Sequence, residues 1–261
     1  MEYLYISPEH FKIFLLVFIR VASVLLLFPF FDSDTIPGLI KAGLTLVIAF
    51  IIYPSVPVNM EQFPTHVFQI PILILSELII GLALGTVLRM FYTATQIAGQ
   101  LIGFQAGFGM MNVVDPQSGT SGVVTSSLGL MAVSLIFLLL NGHHVLIMGL
   151  IESYRLVDIG SIYIKPGLLK HLSSLSADMF ILGLKIGAPA VAALLFVSVA
   201  FGLSAKFSPQ MNILIVAFPI KIAVGLFFFG MTLHIILLIT RSYVSQFDKI
   251  LRGLLTLLGG G

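Results

Sequence analysis

Residues Val67–Leu88 read VFQIPILILSELIIGLALGTVL, an apolar run as long as the roughly 20 residues a helix needs to cross a bilayer. Its only ionisable group is Glu77, and polar and apolar positions do not alternate, so a strand is a poor description. Five other runs share this character: Phe11–Phe31, Ile36–Tyr53, Val123–Leu140, Met179–Leu203 and Met211–Thr240. Gln96–Met111 is a weaker, glycine-rich seventh. The chain is therefore expected to be all-α, a polytopic membrane helix assembly with kinked helical hairpins.

Composition agrees. Of the 261 residues, 58% are hydrophobic and 9% charged, against about 25% charged in soluble domains. A net charge of +2 without a basic cluster argues against a nucleic-acid partner. Membrane lipid is the expected surrounding. The absence of cysteine excludes disulfides, thiolate metal sites and cysteine nucleophiles. Met1–His10 contains Glu2 and Glu9 and no Lys or Arg, so Phe11–Phe31 is read as a retained first span and not as a signal peptide.

Positive charge orients the runs. If Gln96–Met111 is a crossing, seven crossings place Arg89, Arg155, Lys165, Lys170, Arg241, Lys249 and Arg252 on one side, leaving Lys12 and Lys206 on the other. The expected topology has an outside N-terminus and a cytoplasmic C-terminus.

Charges inside apolar runs carry the strongest functional signal. Arg20, Lys41, Glu77, Lys185 and Lys221 cannot all face lipid, where each costs roughly 2.5–3.5 kcal/mol at the bilayer centre. Lys41 and Lys185 can snorkel from helix ends. Arg20 and Lys221 lie deeper, and Glu77 is the one acid available to them inside a run, although spacing does not say which base it meets. Such a pair could hold helices in register or serve transport.

Small residues recur at four-residue spacing: Gly81 and Gly85, then Gly99, Gly103 and Gly107, then Gly183 and Gly187. That spacing gives a helix a face another backbone can approach closely. The segment 103–116, GFQAGFGMMNVVDP, is the most unusual stretch. Its glycines weaken a helix by about 1 kcal/mol each, while Phe and Met supply bulky, adaptable apolar surface. It can be a loose helix end before an Asp-Pro turn, or a deformable constriction in a pore. Pro189 and Pro219 are expected to break or kink their runs.

Catalysis finds no support. The sequence has no Walker loop, GxSxG or HExxH motif. His143 and His144 are expected to splay apart on a helix and make a poor metal pair. No cofactor, no metal and no catalytic residue are expected.

With these residues assembled, the chain resembles the R subunits of the flagellar and type III secretion export gates. Segment 103–116 is similar to the family's GFQxGF…DP signature. Pro209-Gln210-Met211-Asn212-Ile213, followed by Pro219-Ile220-Lys221 and Gly225-Leu226, is similar to its second. Arg20 and Glu77 with Gly81 and Gly85 also fit, and the wording of both motifs favours the flagellar branch over the injectisome branch.

The resemblance implies a non-enzymatic subunit of the inner (cytoplasmic) membrane in the flagellar basal body. Its partners would be the export-gate subunits FliP and FliQ, and also FlhB and FlhA, with unfolded proteins as cargo. It implies a P-like helical region at 1–178, including a plug loop, joined to a Q-like helical hairpin and tail at 179–261. The plug maps onto Ala106–Gly122, with Gly107, Phe108, Gly109, Met110, Met111, Asn112, Val113, Val114, Asp115 and Pro116 at its centre. The hairpin bend falls at Pro209, Gln210, Met211 and Asn212. Much of such a complex is held above the bilayer plane, its apolar runs facing neighbouring subunits. Two other readings stand beside it: a secondary transporter of a small solute with a re-entrant glycine-rich segment, and an intramembrane enzyme.

Overall fold

The structure is a computed structural model, described over residues 8–32, 36–57, 69–108, 124–207, 210 and 212–259. Every regular element among these residues is helical. Helix α1 spans Pro8–Leu26, α2 is the short turn Pro29–Asp32, and α3 spans Gly38–Ile52, followed by a 3₁₀ turn at Tyr53–Ser55. Helix α4 spans Ile70–Ala106, α5 Val124–Leu139, α6 Gly142–Leu156, α7 Leu168–Phe207 and α8 Ile213–Leu258. Proline marks several starts: Pro8 and Pro29 open α1 and α2, and Pro71 sits in the first turn of α4. There the missing N–H is one that no helix partner would satisfy.

Among the described residues four helices are long and apolar enough to cross a membrane, or five spans if the bent pair α5 and α6 counts as one. The chain is a polytopic helical membrane protein, and the expected seven crossings are corrected. Gln96–Met111 is no separate crossing, because residues Gln96–Ala106 continue α4 without a break. The dip in hydropathy from Arg89 to Gln96 misleads, since it holds neither Gly nor Pro and nothing there stops a helix. Arg89 is an exposed side chain on that helix and not part of a connecting loop, so the charge tally that rested on it falls away.

For the prolines the expected break, though not the kink, is corrected. Helices α7 and α8 run uninterrupted through Pro189 and Pro219. Each proline costs one backbone bond, and the flanking turns are long and apolar enough to sustain the helix.

Length matters here. At 1.5 Å per residue, α4 with 37 residues, α7 with 40 and α8 with 46 extend about 55, 60 and 69 Å. The hydrocarbon core is about 30 Å thick and helix tilt averages about 20°, so each helix is longer than one crossing requires.

The chain forms two compact units. The first comprises Met1–Met90, Asn141–Leu175 and Val244–Gly261. In it α4 approaches α1 through Gly81 and Gly85. A Cβ at Gly81 would lie 2.7 Å from the Arg20 carbonyl oxygen and overlap Ser23 Oγ, and one at Gly85 would lie 3.0 Å from the Val24 carbonyl oxygen. By contrast α3 exposes Leu39, Ile40, Leu44, Val47 and Phe50, with only Thr45, Ala49 and Ile52 buried.

The second unit comprises Phe91–Leu140 and Ser176–Tyr243. Its α4 segment is gripped from two sides. Gly99 meets α5, where a Cβ would lie 2.5 Å from Ser126 Cα, and Thr125 donates its hydroxyl to the Gly99 carbonyl at 2.6 Å. Ala94 and Ile97 meet Gly183 of α7, and Ala98 meets Gly187. Ile102, Ala106, Ala190, Leu194 and Phe229 form the buried core, with Phe108, Val191, Val224 and Phe228 packed against it.

Candidate functional site: a buried ion pair and the glycine end of α4

Arg20 sits in the middle of α1 and Glu77 two turns into α4, both with no side-chain exposure. The guanidinium grips the carboxylate with two prongs: Nε donates to Oε2 at 2.6 Å and Nη2 to Oε1 at 3.0 Å. Its remaining donors reach α6 and the turn after it. Nη1 donates to Ser153 Oγ at 3.1 Å and to the Val157 carbonyl at 3.4 Å, and Nη2 to the same carbonyl at 3.3 Å. Each of the five guanidinium N–H groups thereby has an acceptor.

The acceptors are satisfied in turn. Ser153 donates its own hydroxyl to the Leu150 carbonyl at 2.7 Å. Glu77 Oε1 takes a further bond from the Gly160 N–H at 2.8 Å. Gly160 has φ +77, in the left-handed region that a residue without Cβ tolerates. A Cβ there would also overlap Leu73. The Tyr154 ring lies 4.1 Å from the Arg20 guanidinium carbon, and its hydroxyl donates to the Val17 carbonyl at 3.2 Å. The arrangement ties α1, α4, α6 and the turn after α6 into one buried polar centre. Both carboxylate oxygens and all the guanidinium donors are engaged within the protein, so the pair joins helices.

Sequence reasoning singled out Arg20 and Glu77 without pairing them and missed Ser153, Tyr154, Val157 and Gly160. A faint signal existed, in that Glu152-Ser153-Tyr154-Arg155 is a polar group ending a hydrophobic segment. Lys221 belongs to the second compact unit, half-buried on α8, and forms no ion pair among the described residues. Lys185 is exposed on α7.

The glycine-rich segment begins where α4 ends. Gly103 is buried within the helix. Gly107 follows the last helical residue with φ +95, and its N–H donates to the Phe104 carbonyl at 3.1 Å. Only glycine reverses the chain this way at low cost. A Cβ at Gly107 would lie 2.8 Å from Phe218 Cε2. Phe108 packs onto the buried core of the second unit. Gly109, Met110, Met111, Asn112, Val113, Val114, Asp115 and Pro116 lie outside the described residues, as do Pro209 and Met211. Gln210 is an exposed turn residue, and the Asn212 carbonyl accepts the Ile215 N–H at 3.1 Å as α8 starts.

One expectation about the histidines is overturned. His143 and His144 do not splay apart, since their rings lie 4.2 Å apart and tilted by 39°. At the first turn of α6 the rings are free to lean together. Among the described residues no group of three or more His, Cys, Asp or Glu is placed to hold a metal.

An all-helical membrane protein with a buried Arg–Glu centre and a glycine-terminated helix is the class this geometry defines. The model of the family "Bacterial export proteins, family 1" matches residues 11–247. The chain belongs to that family. Its relatives include the flagellar biosynthetic protein FliR of Bacillus subtilis, 31% identical over 95% of this chain and 96% of that protein. FliR of Escherichia coli is 30% identical over 80% of this chain and 79% of its own, and FliR of Aquifex aeolicus 29% over 94% and 95%.

Proposed function

We propose that this chain is a non-enzymatic subunit of the flagellar protein export gate in the bacterial inner membrane. It assembles with FliP and FliQ, in contact with FlhB and FlhA, into a channel for unfolded flagellar proteins. The observation that carries the proposal is the family match over nearly the whole chain, with FliR proteins as relatives at similar length. Physical support comes from the long helices. They are longer than one crossing requires and expose large apolar side chains such as Phe180, Phe196, Phe207, Phe227 and Met231, which companion helices can bury more fully than lipid alone.

In this reading residues 1–178 are a P-like part and 179–261 a Q-like hairpin whose bend lies at 209–212, with the C-terminus in the cytoplasm. The plug is the part of 106–122 that follows the last helical residue, Ala106. A ring of flexible apolar side chains, Met110, Met111, Val113 and Val114 among them, excludes water and ions when closed and deforms around a passing polypeptide. The left-handed Gly107 at the end of α4 releases the chain from the helix into the plug.

The test is extraction of the tagged chain from its native membrane in mild detergent, with the mass of the assembly measured. Companion membrane subunits in fixed ratio support the gate. A chain that is alone at every step, and that takes up a small solute when reconstituted into vesicles, replaces it with the transporter reading.

A further inference from the structure

The segment from Val157 to Lys165, between α6 and α7, is bound at both of its ends to different parts of the first compact unit. At its start, the Val157 carbonyl accepts from Arg20 and the Gly160 N–H donates to Glu77. At its finish, the Tyr163 N–H donates to the Leu258 carbonyl at 2.9 Å and the Lys165 N–H to the Leu257 carbonyl at 3.1 Å. Lys165 Nζ reaches the Thr256 carbonyl at 2.8 Å. These three carbonyls are among the last of α8, which no intrahelical N–H can satisfy, and the Lys165 ammonium meets them at the negative end of the helix dipole.

We infer that Val157–Lys165 is a strap that makes the docking of the C-terminal end of α8 depend on the buried Arg20–Glu77 pair. Val157 is buried and its N–H donates to the Ser153 carbonyl at 3.0 Å, whereas Tyr163 and Ile164 are largely exposed; between them Asp158 accepts from the Ser161 N–H and hydroxyl through its carbonyl. The strap's geometry is set from outside, by the carboxylate that holds the Gly160 N–H and the guanidinium that holds the Val157 carbonyl. Without those anchors the strap loses the register that brings Tyr163 and Lys165 onto the helix end. Gly259 closes the contact: its N–H donates to the Leu255 carbonyl at 2.8 Å, and a Cβ there would lie 2.7 Å from the Leu156 carbonyl oxygen. The end of α8 is therefore positioned by the same loop that completes the ion pair, and coupling between two such sites is reciprocal.

Amide hydrogen exchange on the full-length chain in detergent tests this with two variants. Arg20→Met combined with Glu77→Leu replaces the pair by apolar side chains of similar size. Peptides covering Tyr163–Lys165 and Leu255–Leu258 should exchange at least tenfold faster, with α3 unchanged. Lys165→Met is milder, since it removes the bond from Nζ to the Thr256 carbonyl, and it should speed exchange of the Gly160 amide, five residues away, about threefold. Should the double variant fail to accumulate, the Lys165→Met result decides alone. Acceleration confined to residues 163–166 and 255–258 in Lys165→Met would overturn the strap, as would unchanged exchange at Tyr163 in the double variant.

Discussion

Arg20 and Glu77 lie 57 positions apart in the chain and meet through two parallel hydrogen bonds, Nε to Oε2 at 2.6 Å and Nη2 to Oε1 at 3.0 Å. Both are fully buried. Removing either partner leaves the other charged and enclosed, which costs about 3–5 kcal/mol. Arg20→Ala and Glu77→Ala should therefore each lower thermal stability in detergent markedly. The Arg20→Met, Glu77→Leu double variant should recover much of that loss, because two well-packed apolar side chains leave no orphaned charge. A double variant no more stable than the singles would show that the pair contributes more than mutual neutralisation.

Which base meets Glu77 is not legible from the sequence. Helical periodicity places Arg20 and Glu77 on faces of their own helices and says nothing of which faces turn together. What could be read was the obligation: one buried acid needs one buried base. The continuity of α4 was hidden for a different reason. Hydropathy falls between Arg89 and Gln96, and a search for spans treats that fall as a boundary, whereas a helix ends where the backbone is interrupted. The interruption comes at Gly107, whose positive φ no composition profile registers. Helix α6 escaped notice because His143, His144 and Glu152 dilute a segment that nonetheless buries Leu146, Leu150 and Tyr154.

The four-residue glycine spacing can be resolved position by position. At Gly99 a methyl group would press on backbone atoms, Ser126 Cα at 2.5 Å and the Thr125 carbonyl oxygen at 2.7 Å, which cannot move aside as a side chain can. Gly99→Ala should destabilise by about 1–3 kcal/mol, the usual cost of overpacking. Gly43, on the exposed α3, has nothing within 4 Å of the added atom. Gly43→Ala should gain about 1 kcal/mol from helix propensity alone. Melting curves of the two variants, shifted in opposite directions, would separate packing glycines from incidental ones.

Gly107 carries a backbone demand and a packing demand at once. Its φ of +95 disfavours any side chain, and a Cβ would press on the Phe218 ring at 2.8 Å. Gly107→Val should therefore distort the end of α4 and reduce export of flagellar proteins to the medium at least tenfold. Adding Phe218→Leu makes room but does not cure the backbone, so it should restore only part of the export. Full restoration by Phe218→Leu would assign the whole defect to packing.

Removal of residues 109–122 is the sharpest test of the plug. Ala106 and Phe108 must be retained, because Ala106 is fully buried in the core formed with Ala190, Leu194 and Phe229, and Phe108 packs against it. A Cβ at Gly225 would approach Ala106 Cβ to 2.9 Å, so little slack exists there. A deletion starting at Gly109 spares this contact and takes away the apolar side chains proposed to keep the channel dry. A short glycine-serine linker should keep Phe108 and Val124 connected. Cells or vesicles carrying the assembled gate should then pass small ions at rest, read as a rise in conductance over the intact gate. An assembly of normal composition with unchanged conductance would place the seal elsewhere in the complex.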